Sequence, residues 1–182
     1  LDTENDVFIV DVKDLKVTGE LRGLAEGERI YAARLIKDVF FLVTFRQVDP
    51  LFAIDISDPA KPKVLGYLKI RGFSEYLHPL LSDRLLGIGM EDRMLKLSLF
   101  DISDPTRMAE ISKVELEAWS IALQDHHAVT VDLDDELVFI PVTSGYVSGI
   151  SAFSFSEDAL TLVKLIEHQG ALRTVYVGHE LY

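Results

Sequence analysis

Apolar and polar residues alternate along this chain in short runs, and each pair of runs is joined by turn residues. Val7–Val12 and Leu15–Leu21 are one such pair, joined at Lys13-Asp14. Arg29–Ile36 and Val39–Phe45 form a second pair with a similar turn between them. Short apolar runs bounded by turn residues are typical of β-strands, whereas a helical period is weak throughout. The pattern predicts an all-β chain.

One turn sequence occurs twice. Phe52–Pro59 ends in Asp-Ile-Ser-Asp-Pro, and so does Leu99–Pro105, which places Asp101 46 residues after Asp55. Asp and Ser hydrogen-bond the local backbone and Pro fixes φ, so this sequence ends a strand and begins a turn. A fixed spacing of this size indicates an array of similar units. We expect Asp55 and Asp101 to lie at equivalent positions, at the ends of third strands.

The other runs complete units of four strands around these turns. Three units are complete, at residues 28–70, 74–116 and 119–166, and two are partial, at 1–24 and 171–182. Four short antiparallel strands in a repeat of about 40–50 residues are typical of a β-propeller blade. The sequence therefore predicts a single β-propeller domain, or a fragment of one, with about four blades: three complete and one split or partial.

The two partial units contain complementary strands. The first supplies two outer strands, and the last supplies one inner strand and the start of another. These halves either join in one composite blade, which closes a ring of four, or belong to an open arc of a larger propeller. Unpaired strand edges recruit partners. We therefore favour the open arc, with self-association through its edges, over closure.

Composition narrows the function classes. The 182 residues carry a formal net charge of −12, with a sequence pI near 4.7, and include no cysteine. Binding to nucleic acid needs a basic surface, so an acidic chain argues against it. No apolar run approaches the roughly 20 residues that span a bilayer. Without cysteine the chain has no disulfides, thiol nucleophile or zinc–thiolate site.

At specific stretches the sequence resembles a known family. Val43–Pro59, followed by Pro62–Gly66, is similar to the secreted bacterial and archaeal proteins that carry a C-terminal β-propeller domain. Five further stretches support the resemblance: Tyr76–Pro79, Leu85–Gly89, Lys96–Pro105, Asp125–Ala128 and Phe139–Val142. The Asp-Ile-Ser-Asp-Pro turns are less specific, because surface propellers with LVIVD-type repeats share them.

The resemblance implies an exported or cell-surface protein, distantly related to WD-repeat propellers, with no established activity. It also implies a domain longer than this chain. Two joins, at 91–96 and 168–173, are short against the family pattern, which indicates either short loops or missing residues.

Three positions are candidate contacts for a ligand. Arg46 and Asp49 flank a hairpin before Pro50, where an Arg–carboxylate pair would fix the turn. We favour that structural pair over an anion site at Arg46. His78 lies at the end of an inner strand, but no nucleophile motif accompanies it, so a catalytic triad is disfavoured.

Gly87-Ile-Gly89 is interpreted as a place of close strand approach, since no helix follows it to bind phosphate.

The dipeptide His126-His127 follows Asp125 and resembles a metal-binding sequence. We expect His127–Asp132 to form a blade strand, in which adjacent side chains point to opposite faces. Both imidazoles could not then bind one ion. We therefore predict no metal here, and His127 remains a candidate ligand contact at the rim.

Four carboxylates lie close together in a predicted turn, at Asp132, Asp134, Asp135 and Glu136. Calcium prefers clusters of hard oxygen ligands, so this turn is the candidate calcium site. The stretch lacks the glycine and the distal glutamate of an EF-hand loop. A solvated hairpin turn is the favoured interpretation.

Two functions from different classes fit these observations. The favoured one is a non-catalytic extracellular scaffold that binds a protein or another ligand, without cofactor. The alternative is an extracellular hydrolase or lyase whose site in the propeller channel is completed by residues outside this chain. The fold alone does not choose between them, since propellers host both.

Overall fold

The computed structural model describes residues 4–45 and 49–182. Strands dominate the described residues, and the helical segments found there are two short 3-10 helices, Ile121–Leu123 and His126–Ala128. The all-β prediction is confirmed. None of the described helices is long and apolar enough to cross a membrane.

Within each sheet, strands that follow one another along the chain are neighbours. Their bounds are β1 Asn5–Val10, β2 Val17–Leu24, β3 Arg29–Ile36, β4 Val39–Phe45, β5 Asp49–Asp55, β6 Lys63–Ile70, β7 Phe73–Pro79, β8 Arg84–Glu91, β9 Met94–Asp101, β10 Ala109–Leu116, β11 Thr130–Asp132, β12 Leu137–Ser144, β13 Val147–Phe155, β14 Leu160–Glu167, β15 Tyr176–Val177 and β16 Glu180–Leu181.

These strands form three four-stranded sheets and two hairpins. The sheets are β3–β6, β7–β10 and β11–β14, each with its strands in chain order. β1 pairs with β2 and β15 with β16, each pair as a two-stranded sheet of its own. The prediction of three complete four-stranded blades is confirmed, and the unit bounds, including the partial units at 1–24 and 171–182, stay a prediction. The choice between ring closure and self-association stays a prediction.

The chain divides into two compact units. The first contains Leu1–Phe73 with Asp104–Met108, and the second contains Ser74–Ser103 with Ala109–Tyr182. In the first, Leu24, Leu42 and Ile54 form a buried apolar cluster. The core of the second unit is built from alternate residues of β8, β9, β12 and β13, which include Leu86, Ile88, Leu97, Leu99, Val138, Ile140 and Phe153.

The repeated turn has the predicted register. β5 ends at Asp55 and β9 ends at Asp101, each the third strand of its sheet. Oδ1 of Asp55 accepts the amide of Ser57 at 2.9 Å, and Oδ1 of Asp101 accepts the amide of Ser103 at 2.9 Å. The equivalence expected from the 46-residue spacing is confirmed.

A register irregularity that skips one residue occurs in each of β2, β6, β10 and β14, and the β1–β2 pair has a second irregularity, between Asn5 and Val7. In β2, β6 and β10 the shift skips one residue, and the residue that follows it is Gly19, Gly66 or Ser112 respectively. In β14 the corresponding shift skips Val163. Bulges increase local strand twist. An irregularity shared by the last strands of four units shows that the repeat extends to the backbone geometry.

The small residues beside these bulges allow close approach of a later turn. A Cβ at Gly66 would lie 2.8 Å from the carbonyl oxygen of Pro105, and a Cβ at Gly19 would collide with the carbonyl oxygen of Pro59. Ser112 instead uses its hydroxyl, whose Oγ accepts the amide of Leu160 at 3.0 Å. The proline of the repeated turn therefore lies where packing demands a small partner.

Gly87 confirms the expected close strand approach. A Cβ at this position of β8 would lie 2.7 Å from the ring of Phe100, and it would also meet the Ser74 side chain of β7. Real Cβ atoms do not approach neighbours so closely without a shift of the structure. Glycine is therefore required here for sheet packing.

The predicted strand His127–Asp132 is wrong in its first half. β11 contains only Thr130–Asp132, and His126–Ala128 form a 3-10 helix. Asp125 is the cap of this helix, since its side chain accepts the amide of His127. An aspartate at this position satisfies an amide that would otherwise lack a partner, which favours the helical turn over a strand.

Candidate functional site

The first strand of the sheet β7–β10 presents an aromatic–histidine pair. Tyr76 and His78 are two residues apart on β7, so their side chains project from the same face. The Tyr76 hydroxyl and Nδ1 of His78 are 2.8 Å apart, within hydrogen-bond distance. Both side chains are half-buried. His78 is the last residue but one of β7, and Tyr76 is the partner that sequence reasoning missed.

The 3-10 helix before β11 presents two histidines together. Asp125 has extended backbone angles, φ −131° and ψ 104°, and its Oδ1 accepts the backbone amide of His127 at 3.0 Å. The same oxygen is 2.9 Å from Nδ1 of the His127 ring. The centroids of the His126 and His127 rings are 4.1 Å apart, with an angle of 32° between their planes. The helical turn therefore brings together two rings that a strand would separate.

One ring contact joins these two groups. The Tyr76 ring stacks on the His126 ring, with centroids 5.9 Å apart and planes 19° from parallel. A continuous set of contacts thus runs through His78, Tyr76, His126, His127 and Asp125. We call these five residues the histidine–tyrosine cluster. The structure brings both predicted contacts, His78 and His127, into one place within the second unit.

The charge of Asp125 determines the form of the His127 ring. The amide and the ring of His127 both donate hydrogen bonds to the Asp125 carboxylate, which lowers its pKa. An ionised carboxylate only accepts hydrogen bonds, so Nδ1 of His127 carries the proton. In the neutral ring, Nε2 is then the free acceptor. Asp125 therefore holds His127 with one ring nitrogen available for a ligand.

The cluster is equipped for recognition. Its four rings offer flat faces for stacking, and the ring nitrogens and the tyrosine hydroxyl offer hydrogen-bond donors and acceptors. His126 and His127 are exposed, so a ligand can reach them from solvent. Such an arrangement can bind planar groups, hydrogen-bonding groups or a metal ion.

The candidate calcium turn has its most buried carboxylate engaged. Asp132 is buried, and its Oδ1 accepts the amides of Asp134 and Asp135 at 3.0 and 3.1 Å. Glu136 lies in the left-handed region, with φ of 54°. These contacts support the interpretation of residues 132–136 as a hairpin turn. Calcium binding there stays untested.

A second histidine–carboxylate pair lies in the same unit. Nδ1 of His179 is 3.0 Å from Oδ2 of Asp135, and both side chains are substantially exposed. The hydrogen bond to Asp135 raises the pKa of His179. This pair has the same type of hydrogen bond as Asp125 and His127. Among the described ring contacts, however, none joins His179 to a second histidine. It is a natural control for the cluster.

The structure also reveals a buried ionic cluster that sequence reasoning missed. Lys96 of β9 contacts Glu91 and Glu110 at 2.9 Å each. Lys113 of β10 contacts Glu91 at 3.0 Å and Glu115 at 2.7 Å. Glu91 and Lys96 are almost fully buried. The signal in the sequence is a charged residue at a buried position of β8 and another at a buried position of β9, which a search for turns and apolar runs passes over.

Two sequence candidates fall where the structure gives no account of them. Arg46 and the side chain of Asp49 lie outside the described residues. The pair predicted to fix that hairpin therefore stays a prediction.

Comparison with known proteins places the chain in a family. The β-propeller domain family matches it over residues 1–182. An uncharacterized protein of Archaeoglobus fulgidus is 44% identical over 181 residues, and an uncharacterized protein of Methanocaldococcus jannaschii is 41% identical over 182 residues. Each alignment covers 98% of this chain but 28% of the relative, so the chain spans just over a quarter of the length of these relatives. With its three four-stranded sheets, this chain belongs to the β-propeller domain family.

Proposed function

We propose that this chain is a non-catalytic scaffold that binds a protein or another extracellular ligand through the histidine–tyrosine cluster. The observation that carries the proposal is the stacked contact between Tyr76 and His126, which gathers side chains from a blade strand and from the segment before the next blade. In propellers, loops and inner strands border a central channel, and that border is a common place for recognition.

The chemistry of the cluster favours binding to a neutral or polar partner. Aromatic and histidine rings supply contact area and hydrogen bonds at a modest entropic cost. The net charge of −12 disfavours nucleic acid and favours cationic or neutral ligands. We propose an exported or cell-surface location, which the resemblance implies. The location is tested by fractionating the native cells: the full-length protein is expected in the membrane fraction or in the medium, and its presence only inside the cell would contradict this.

The binding proposal has a direct test. The purified chain is applied to arrays of extracellular polysaccharides and peptides, in parallel with His78→Ala and His126→Ala variants. We expect at least one ligand class to be retained by the wild type and lost, by tenfold or more in affinity, from both variants. The control is His179→Ala, which removes an exposed histidine outside the cluster. Equal retention by all four proteins would contradict the proposal.

One observation favours the enzymatic alternative, a hydrolase or lyase. The hydrogen-bonded pair of Tyr76 and His78 has the residue types of a general acid and base. Recovery of the retained ligand and its analysis by chromatography distinguish the two functions. A scaffold returns it unchanged. Cleavage that stops in Tyr76→Phe, a variant that keeps the ring and loses the hydroxyl, would favour the enzyme.

A further inference from the structure

We propose that His126 and His127 bind one divalent transition-metal ion, with Asp125 orienting the second of these rings. The inference deepens the binding role proposed for the histidine–tyrosine cluster. It replaces the sequence-based expectation of no metal, because that expectation depended on a strand that the structure does not contain there.

The local backbone makes the two rings neighbours. In a strand, adjacent side chains point to opposite faces, but a 3-10 helix rotates successive residues by about a third of a turn. The ring centroids of His126 and His127 are accordingly 4.1 Å apart. Two imidazoles on consecutive residues of a helical turn can therefore reach the same ion.

The donor atoms are close to the spacing that a metal requires. One ring nitrogen of His126, one ring nitrogen of His127 and one carboxylate oxygen of Asp125 lie within 4.8 Å of one another. Of these three groups the two imidazoles are the proposed ligands. Nitrogens bound to zinc at about 2.0–2.1 Å in a tetrahedral site are about 3.3 Å from each other. All three side chains are exposed, so small rotations about their χ angles close the difference.

Asp125 supplies the orientation that metal-binding histidines usually have. Such a histidine donates its second ring N–H to a carboxylate or a carbonyl, which fixes the tautomer and raises the basicity of the ligating nitrogen. Nδ1 of His127 makes this contact with Asp125 at 2.9 Å. Nε2 of His127 is then left as the metal ligand. Asp125 is in turn fixed by the amide of His127.

Tyr76 restrains the other ring. His126 stacks on Tyr76, and the Tyr76 hydroxyl is in contact with His78. A ring that is held by stacking loses less rotamer freedom when it binds a ligand. Both histidines are therefore partly organised for binding before the ion arrives.

The donor set selects the class of ion. Imidazole nitrogen suits zinc, copper and nickel, whereas calcium and magnesium prefer oxygen ligands. Among divalent ions the affinity of such a site is expected to peak at copper. The acidic chain, with net charge −12, also attracts cations to its surface.

The test is a titration of the 182-residue chain, free of any histidine tag, with Cu²⁺ and with Ni²⁺ by isothermal calorimetry. We expect one ion per chain for the wild type and at least a tenfold loss of affinity in His126→Ala and in His127→Ala. Electron paramagnetic resonance of the Cu²⁺ complex is expected to show two coordinated nitrogens in the wild type and fewer in either variant. Asp125→Ala is expected to weaken binding by about 10–100-fold while leaving both nitrogens coordinated.

His179→Ala is the matched control. His179 makes the same carboxylate contact, at 3.0 Å from Asp135, and is expected to contribute nothing to the tight site. Binding that survives in a His126→Ala/His127→Ala double variant, or that is lost in His179→Ala, overturns the proposal, as does the lack of stoichiometric binding by the wild type. Because the titration contains no macromolecular ligand, its failure leaves the scaffold proposal standing, and failure of the ligand arrays leaves the metal site standing.

Discussion

The second unit contains two groups of polar side chains that differ in burial. Side chains of Lys96 and Glu91 are 3% and 6% exposed, whereas those of His127 and Asp125 are 67% and 55% exposed. Both groups are held by short polar contacts of 2.9 Å. The contact distance alone therefore does not distinguish a buried structural group from an exposed group that a ligand can reach.

The degree of burial determines how much each group contributes to the stability of the fold. A buried charge that loses its partner carries a large desolvation cost, so Lys96 and Glu91 are tied to the stability of the sheet. An exposed pair contributes little to stability, because water and salt screen it. The exposed His126 and His127 of the histidine–tyrosine cluster are therefore accessible to a ligand, whereas Glu91 and Lys96 of the buried cluster are not. The following predictions test this difference, starting from the largest effect.

Removal of the buried cation is expected to cause the largest loss. Lys96→Ala leaves Glu91 and Glu110 without the ammonium group that contacts both. We expect the free energy of unfolding to fall by about 3–5 kcal/mol, measured by urea denaturation. Lys164→Ala removes an exposed lysine of β14 and is expected to change it by less than about 0.5 kcal/mol. Similar losses in both variants would show that burial does not determine how much a lysine contributes to stability.

Neutralising the buried carboxylate is expected to cost less and to change the pH dependence. Burial raises the pKa of Glu91, but hydrogen bonds from Lys96 and Lys113 outweigh burial and lower the pKa below its usual value of 4.5. Its stabilising effect is therefore present above pH 4.5 and is lost as pH falls through the lowered pKa. Glu91→Gln is expected to be less stable at pH 7 by about 1.5–3 kcal/mol, because hydrogen bonds to a charged group are lost.

The pH series supplies the check on that variant. Unfolding of wild type and Glu91→Gln is followed from pH 7 to pH 3, and the gap between them is expected to narrow as Glu91 becomes protonated. A gap that is constant across this range would show that the charge of Glu91 is not what stabilises the cluster.

The cation at the edge of the buried cluster is expected to matter less than Lys96. Lys113 is 38% exposed, and its hydrogen bond to Glu115, ahead of its contact with Glu91, raises its pKa. Lys113→Ala is expected to lower the free energy of unfolding by about 1 kcal/mol at pH 7. The effect is present below pH 10.5 and is lost as pH rises through the raised pKa. A loss as large as that of Lys96→Ala would show that exposure does not determine how much each lysine contributes to the free energy of unfolding.

The exposed cluster is expected to have the smallest effect on stability. His127→Ala removes a side chain that is 67% exposed, so the free energy of unfolding is expected to change by less than about 0.5 kcal/mol. The same variant is expected to lose metal binding in the titration described above. A variant that retained binding but lost more than 2 kcal/mol of stability would assign the cluster a structural role instead.

Local sequence determined the architecture. The Asp-Ile-Ser-Asp-Pro turns predicted the ends of β5 and β9, because aspartate and proline act on the backbone within a few residues of their own position. The period of two along the apolar runs predicted the strands for the same reason. The error at His127–Asp132 was also local: the cap at Asp125 competes with a β-branched run, and the apolar pattern gave no sign of which would prevail.

Only the tertiary structure decided the site and the buried charges. Tyr76 and His126 lie on separate elements, and their stacking depends on how β7 and the segment before β11 pack in the second unit. The contacts of Lys96 with Glu91 and Glu110 likewise join three strands of one sheet. Contacts of this kind follow from the register of strands and from the packing of sheets, which no single segment specifies. The sequence by itself determines where the chain turns, and the packed fold determines which side chains meet.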